Sequence, residues 1–301
     1  MILVTGATGR VGRVLVEGLL QTGNPVSILV RHPQKAESLK ALGAVVWQVD
    51  WHQLESVETA LRQGRDLCVD DRPYRLCSIP ANTLNQAEQE IQLFQAAERA
   101  GVERLVKLST IKANLASPCL FFRQHAIAEH YLSQQATIPF TVLQSNSFMQ
   151  NFLWFADEIR THGTLSLPLG NAKTAPVDIR DLVRVAAVVL TEKNLGGTTY
   201  PGIYNITGRE ALSMQDIVDR ISKRMEKRIT YIAISAIEFQ QMLLDAGMPE
   251  WKAEAIAQSW QVASSGEPTV TDTVQSLTGK QPTTFTEWLQ SHLATFSPIR
   301  S

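Results

Sequence analysis

The chain is 301 residues long, 44% hydrophobic and 19% charged, with a formal net charge of −1. That balance fits a sizeable buried core, in one large domain or a main domain with a smaller companion. It argues against general electrostatic affinity for nucleic acid or anionic membranes. No apolar run is long enough to span a bilayer, and Met1 leads straight into a strand, so no targeting leader is expected. Cys68, Cys77 and Cys119 lack metal-ligand spacing, so a cytoplasmic, reducing setting is expected.

Ile2 to Val4 reads as a short buried strand. It breaks into Gly6-x-x-Gly9-x-x-Gly12, and Arg13 to Leu20 then read as a helix with Val14, Leu15, Leu19 and Leu20 on one face. Strand, glycine-rich turn and helix open a dinucleotide-binding βαβ unit. Side chains in the turn would block close approach of the backbone to a pyrophosphate, and the N–H groups at the helix start attract that anion. Strands at Pro25 to Val30, Ala44 to Val49, Arg75 to Ile79, Leu105 to Ser109 and Phe140 to Leu143 follow. Between them lie helices at Pro33 to Leu42, Leu54 to Arg62, about Leu84 to Ala100 (ended by Gly101) and Arg123 to Gln134. The alternation predicts a doubly wound, Rossmann-type α/β fold with a parallel sheet covered on both faces. Beyond it come an apolar helix at Asp181 to Leu190, a short strand at Ile203 to Thr207 and a helix at Ser213 to Met225 opening on a serine cap. Met248-Pro249 and Gly279 punctuate a smaller, mostly helical C-terminal lobe. Residues 1–150, completed by about 176–207, are expected to form the NAD(P)-binding domain. Residues 151–175 and 208–301 are expected to form a smaller substrate or partner lobe packed against it, with a cleft at the strand C-termini.

These residues resemble the NmrA-like branch of the atypical short-chain dehydrogenase/reductase superfamily, close to the NAD(P)H:quinone oxidoreductase type 2 group. The resemblance rests on Thr5-Gly-Ala-Thr-Gly-Arg-Val-Gly12, Val30-Arg-His-Pro33, Ala100-Gly-Val-Glu-Arg-Leu-Val-Lys-Leu-Ser109 and Ser147-Phe-Met-Gln-Asn151. It continues through Pro176-Val-Asp-Ile-Arg-Asp181, Tyr204-Asn-Ile-Thr-Gly208 and Leu277-Thr-Gly-Lys-Gln-Pro282. Order and spacing point to the family far more strongly than to a substrate.

The turn residues Gly6, Thr8, Gly9, Arg10, Val11 and Gly12 are the expected pyrophosphate cradle. An acidic residue after the second strand would accept hydrogen bonds from the ribose of NAD; here Arg31 stands there, with Arg10 and Lys35 nearby. Cations in that place suit a ribose 2′-phosphate, so NADPH (NADP+) is the expected cofactor unless they are ordinary solvated charges. Each charge-assisted bond to the phosphate is worth about 1.5–3 kcal/mol. The resemblance further implies Asp50 and Trp51 beside the adenine, and Ser78, Ile79 and Pro80 along the ribose and nicotinamide. Between Gly64 and the fourth strand, Arg65 to Pro73 look like an insertion carrying Asp70 and Asp71, either a plain surface loop or a cover for the adenine pocket.

Many short-chain dehydrogenases use a tyrosine with a lysine four positions later as proton donor, and none of the five tyrosines here has that spacing. The lysine that isoflavone-reductase relatives use is also missing, with Phe121 and Phe122 in that region. The helix offers His125-Ala-Ile-Ala-Glu129 instead, and residues four apart share a face. Glu129 is expected to hold one tautomer of His125, which would hydrogen-bond or protonate a reduced oxygen; the alternative is an exposed His–Glu pair. A metal site at His125, Glu129 and His130 lacks a further ligand. Ser109, Ser145 and Asn146 are expected near the nicotinamide, and Phe148, Asn151 and Trp154 around the substrate, although aromatics there also suit plain core. The expected activity is NADPH-dependent hydride transfer to a quinone or similar conjugated, electron-poor small molecule. The alternative is a non-catalytic NADP(H)-binding redox sensor acting through a partner protein.

Overall fold

A computed structural model describes residues 1–68, 73–192 and 202–297. The first half runs β1 (Ile2–Val4), α1 (Arg10–Gln21), β2 (Val26–Val30), α2 (Glu37–Ala41), β3 (Val45–Gln48), α3 (Leu54–Asp66), β4 (Arg75–Ser78), α4 (Gln86–Arg99), β5 (Arg104–Thr110), α5 (Leu120–Gln134) and β6 (Phe140–Ser145). Then come α6 (Ala156–His162), β7 (Thr164–Leu167), β8 (Lys173–Thr174), α7 (Ile179–Thr191), β9 (Gly202–Ile206), β10 (Leu212–Ser213), α8 (Met214–Met225) and β11 (Thr230–Ala233). The chain closes with α9 (Ala236–Asp245), α10 (Glu250–Ala263), α11 (Thr273–Thr278) and α12 (Phe285–Phe296).

Seven strands form one sheet in the order β3-β2-β1-β4-β5-β6-β9. The chain winds outward from β1 through β2 to β3 and then returns to place β4 on the other flank of β1. Ile2 therefore pairs in parallel with Val26 on one side and with Arg75 on the other. This reversal is the topological switch point of a doubly wound fold, where a crevice opens beyond the strand C-termini. The helical crossovers cover the sheet, so β1, β2 and β4 are buried along their whole length. On α1 the buried residues Gly12, Leu15, Val16 and Leu19 recur at helical spacing and form its sheet-facing stripe.

Two compact units divide the chain. The first comprises Met1–Leu115, Gln124–Gln144 and Leu182–Tyr204, and the second Ala116–Arg123, Ser145–Asp181 and Asn205–Ser301. Leu3, Leu29, Tyr74, Phe94, Leu105 and Val142 belong to the core of the first. Phe152, Ile217, Ile221, Phe285, Trp288 and Phe296 anchor that of the second. Helix starts in the second unit are set by reciprocal capping boxes at Ser213, Ser235 and Thr284, the first being the serine cap read from the sequence.

Some elements differ from the sequence reading. The stretch expected as a helix from Pro33 to Leu42 opens as a 3₁₀ turn, Pro33–Ala36, and only then becomes α2. Four short strands interrupt the expected mostly helical lobe: β7 pairs with β11 in parallel and β8 with β10 antiparallel. Asp70 and Asp71 of the expected insertion lie outside the described residues. Among the described residues no helix is long and apolar enough to cross a membrane.

Candidate active site

At the switch point the end of β1 is pinned to the end of β4. Thr5 donates its backbone N–H to the Cys77 carbonyl (3.0 Å), and its Oγ1 accepts from the Ile79 N–H (3.0 Å). The chain then turns through Gly6 at φ +61°, whose carbonyl accepts from the Gly9 N–H at 2.9 Å. A Cβ on Gly6 would collide with the Ile79 carbonyl, and one on Gly12 with the Gly6 carbonyl. These two glycines are therefore required by the packing of the turn itself, a need separate from any ligand. A Cβ on Gly9 would meet only the Gly6 carbonyl, at 3.2 Å, so its outer side is open. Gly9 caps α1 without a side chain and the first turn holds no acidic residue, which leaves N–H groups for an anion, with Arg10 exposed and Thr8 and Val11 half-buried around them.

Past β2, Arg31 and Lys35 are exposed, and their side chains have no hydrogen bond or ion pair among the described residues. Arg13 is the engaged cation here, donating to Ser38 Oγ at 2.6 Å. Asp50 is spent on its own turn, accepting from the His52 N–H (2.9 Å) and Gln53 Nε2 (3.0 Å). Half-buried Trp51 packs against the core of the first unit. Ile79 and Pro80 are half-buried, while the buried Ser78 hydroxyl donates to Glu90 Oε1 at 3.2 Å.

Glu90 leads to a network in which Glu90, Lys107, Gln86 and Gln144 were not singled out from the sequence. Lys107 sits in β5 between Val106 and Leu108, opposite Ser78 in register and fully buried. Its Nζ lies 2.7 and 2.8 Å from the two carboxylate oxygens of Glu90 on α4, and 3.2 Å from His125 Nδ1 on α5. Gln86 Nε2 donates to the same carboxylate at 3.2 Å. Ser109, two residues along β5 and so on the same face, donates to Glu129 Oε1, and Gln144 Nε2 donates to Glu129 Oε2 at 2.8 Å. Glu129 thus holds Ser109 and Gln144, and His125 is held by Lys107, where the sequence spacing had paired the two with each other. Burial pushes the Glu129 carboxyl up, against the pull of its hydrogen bonds and of Lys107. Burial, reinforced by the Lys107 charge, holds His125 well below the ordinary imidazole range. The available signal for this network was a lysine interrupting the apolar run of β5.

The loop after β6 belongs to the second unit. The Asn146 N–H donates to the Ile206 carbonyl (2.9 Å), and Asn146 Oδ1 accepts from the Ser147 N–H (2.7 Å) and Thr174 Oγ1 (3.0 Å). Ser145 is buried. Phe148 bridges to Val177, and the Asn151 N–H donates to the Phe148 carbonyl at 3.0 Å. Trp154 is 56% exposed. Gln150 and Arg180 both bond Asp178 there, and these bonds hold its carboxyl below the usual range despite burial. Among the described residues no group of three or more His, Cys, Asp or Glu side chains could hold a metal ion.

The chain matches the NmrA-like family over residues 1–289. It is 31% identical over 297 residues to the NAD(P)H azoreductase of Xenophilus azovorans, covering 98% of this chain and 99% of that protein. The crystal structure of the NADPH-dependent quinone oxidoreductase QOR2 of Escherichia coli, complexed with NADPH, superposes with a TM-score of 0.83 at 27% identity, covering 98% of this chain and 100% of that one. The triphenylmethane reductase of a Citrobacter species, complexed with NADP(H), superposes with a TM-score of 0.82 at 25% identity, covering 97% and 99%.

Proposed function

This chain belongs to the NmrA-like family, and from that premise we propose that it is an NADPH-dependent reductase of quinones or similar conjugated, electron-poor small molecules. The observation that carries the reading is the intact glycine turn at the switch point, in a chain that aligns over nearly its full length with reductases of quinones, azo compounds and triphenylmethanes. The turn fits a dinucleotide: open space faces Gly9, the first N–H groups of α1 lack a side-chain cap, and Arg31 and Lys35 are available for a 2′-phosphate. When bound, the nicotinamide supplies hydride.

The residues do the rest without a Tyr-x-x-x-Lys pair. Thr5 and Ile79 keep the turn rigid, and Arg10 and the α1 N-terminus meet the pyrophosphate. Ser109, oriented by Glu129, borders the reacting ring, while Asp50, Trp51, Ser78 and Pro80 line the rest of the dinucleotide path. His125 donates a hydrogen bond to the acceptor oxygen, which stabilises negative charge as it develops there. An electrophile as reactive as a quinone needs a donor of this kind more than a strong acid.

The test is NADPH oxidation by the purified protein against a panel of quinones, azo compounds and triphenylmethane dyes. Saturable turnover that falls about tenfold or more in His125→Ala is the expected outcome. Tight NADPH binding without turnover on any acceptor would count against the reductase and for a sensor.

A further inference from the structure

Lys107 and Glu90 form a fully buried ion pair, and removing either partner would leave a costly unpaired charge. Their geometry has a consequence for His125. A lysine ammonium carries three donors and no acceptor. Its charge is held by both oxygens of Glu90, at 2.7 and 2.8 Å, and the Leu108 carbonyl at 3.4 Å takes a further contact. A neutral amine would strand the Glu90 carboxylate in the core. The 3.2 Å contact with His125 therefore runs from the ammonium to a Nδ1 lone pair, and the ring proton must sit on Nε2. Nε2 has no hydrogen-bond partner among the described residues and is not one of the sealed-off polar atoms, so it faces accessible space.

We infer that Glu90 and Lys107 are positioning residues that fix His125 as a neutral imidazole presenting its Nε2–H as a hydrogen-bond donor to the acceptor. This rests on the proposed reading that His125 faces the acceptor. The charged groups around the ring are Lys107 from β5, Glu90 from α4 and Glu129 one turn along α5. Protonating Nδ1 would place a second cation against the ammonium and break their bond, while Glu129 is occupied by Ser109 and Gln144 and gives the ring no counter-ion. His125 thus polarises the acceptor oxygen without acting as an acid. The acceptor takes two electrons and one hydrogen as hydride from the bound nicotinamide, leaving NADP+, and one proton from water. The imidazole finishes as it began.

Long-range ¹H–¹⁵N correlation of the full chain labelled with ¹⁵N-histidine reads tautomer and charge directly, with His125→Gln assigning the signal. The expected result is a neutral ring with its proton on Nε2, unchanged from pH 8 to about 5. The double variant Glu90→Gln with Lys107→Gln keeps a donor for Nδ1 without burying an unpaired charge. It should retain the tautomer but titrate at a higher pH than the unaltered chain, with burial still holding it below the ordinary histidine range, and any inflection in kcat/KM should move up with it. Glu90→Met with Lys107→Met should lose the fixed tautomer as well as the Lys107 part of the suppression, and a merely structural pair would not separate the two double variants in this way. A ring in the unaltered chain that titrates normally, or carries its proton on Nδ1, overturns the inference. Unchanged turnover in His125→Ala overturns instead the reading beneath it, and the spectra still decide the tautomer.

Discussion

A lysine inside an apolar strand is the residue through which this site departs most from its sequence. Removing Lys107 alone, as in Lys107→Met, leaves the Glu90 carboxylate at 4% side-chain exposure with only Ser78 and Gln86 as donors among the described residues. Loss of one partner of such a pair costs about 3–5 kcal/mol, whereas replacing both by apolar residues of similar volume is often neutral. Urea midpoints should therefore fall steeply in Lys107→Met and recover largely in Glu90→Met with Lys107→Met. An equal loss in both would mean that packing, rather than charge, accounts for the cost. His125 supplies a second expectation at this scale. Its folded value is depressed, so the unfolded chain binds the proton first as pH drops below about 6.5, and stability falls through that window. The slope for one proton is about 1.4 kcal/mol per pH unit. His125→Gln should remove that component between pH 7 and about 5.5, which paired urea titrations would show as a shallower pH dependence. Neither effect was legible from spacing. The helical repeat places His125 and Glu129 on one face, but it says nothing of what β5 presents to that face. Lys107, Glu90 and His125 meet only once two crossovers have closed.

The elements best anticipated are those whose signals are local. Ile2–Val4 is a strand because it is apolar and short, and α1 follows because a glycine turn frees its N-terminus. In α8 the Ser213 hydroxyl accepts from the Asp216 N–H at 3.1 Å while Asp216 reaches back to the Ser213 N–H at 2.9 Å. Ser213→Ala should cost about 1 kcal/mol by urea denaturation, because one orphan donor of the first turn loses its acceptor. A change below a few tenths would show that solvent replaces the cap. Gly12→Ala belongs to the same scale: the added methyl has the Gly6 carbonyl in its way, so the turn must open and NADPH affinity should drop, as a fluorescence titration would record. The short strands were not anticipated because their stability is non-local. Thr164–Leu167 and Thr230–Ala233 are four residues each, with partners more than sixty positions apart, so neither carries a pattern that distinguishes it from loop.

At the scale of the whole molecule, the formal charge of −1 leaves no broad field to attract an anionic cofactor. Discrimination between NADPH and NADH must then be local, and the two candidate cations, Arg31 and Lys35, have no side-chain partners among the described residues. Arg13 shows the contrast, its guanidinium engaged by Ser38 and close to Glu17. An unengaged arginine gains the full benefit of a bidentate phosphate contact, since no existing bond is given up. By linkage, a ligand at a hundred times its Kd stabilises the fold by about 2.7 kcal/mol. At equal concentrations NADPH should therefore raise the unfolding midpoint well above the level reached with NADH. Arg31→Ala should remove most of that difference while leaving the unliganded midpoint nearly unchanged, because an exposed side chain without partners contributes little to the fold. If Arg31→Ala lowered the NADPH and NADH shifts by the same amount, the arginine would be acting on something common to both cofactors, and the 2′-phosphate would have to be recognised elsewhere.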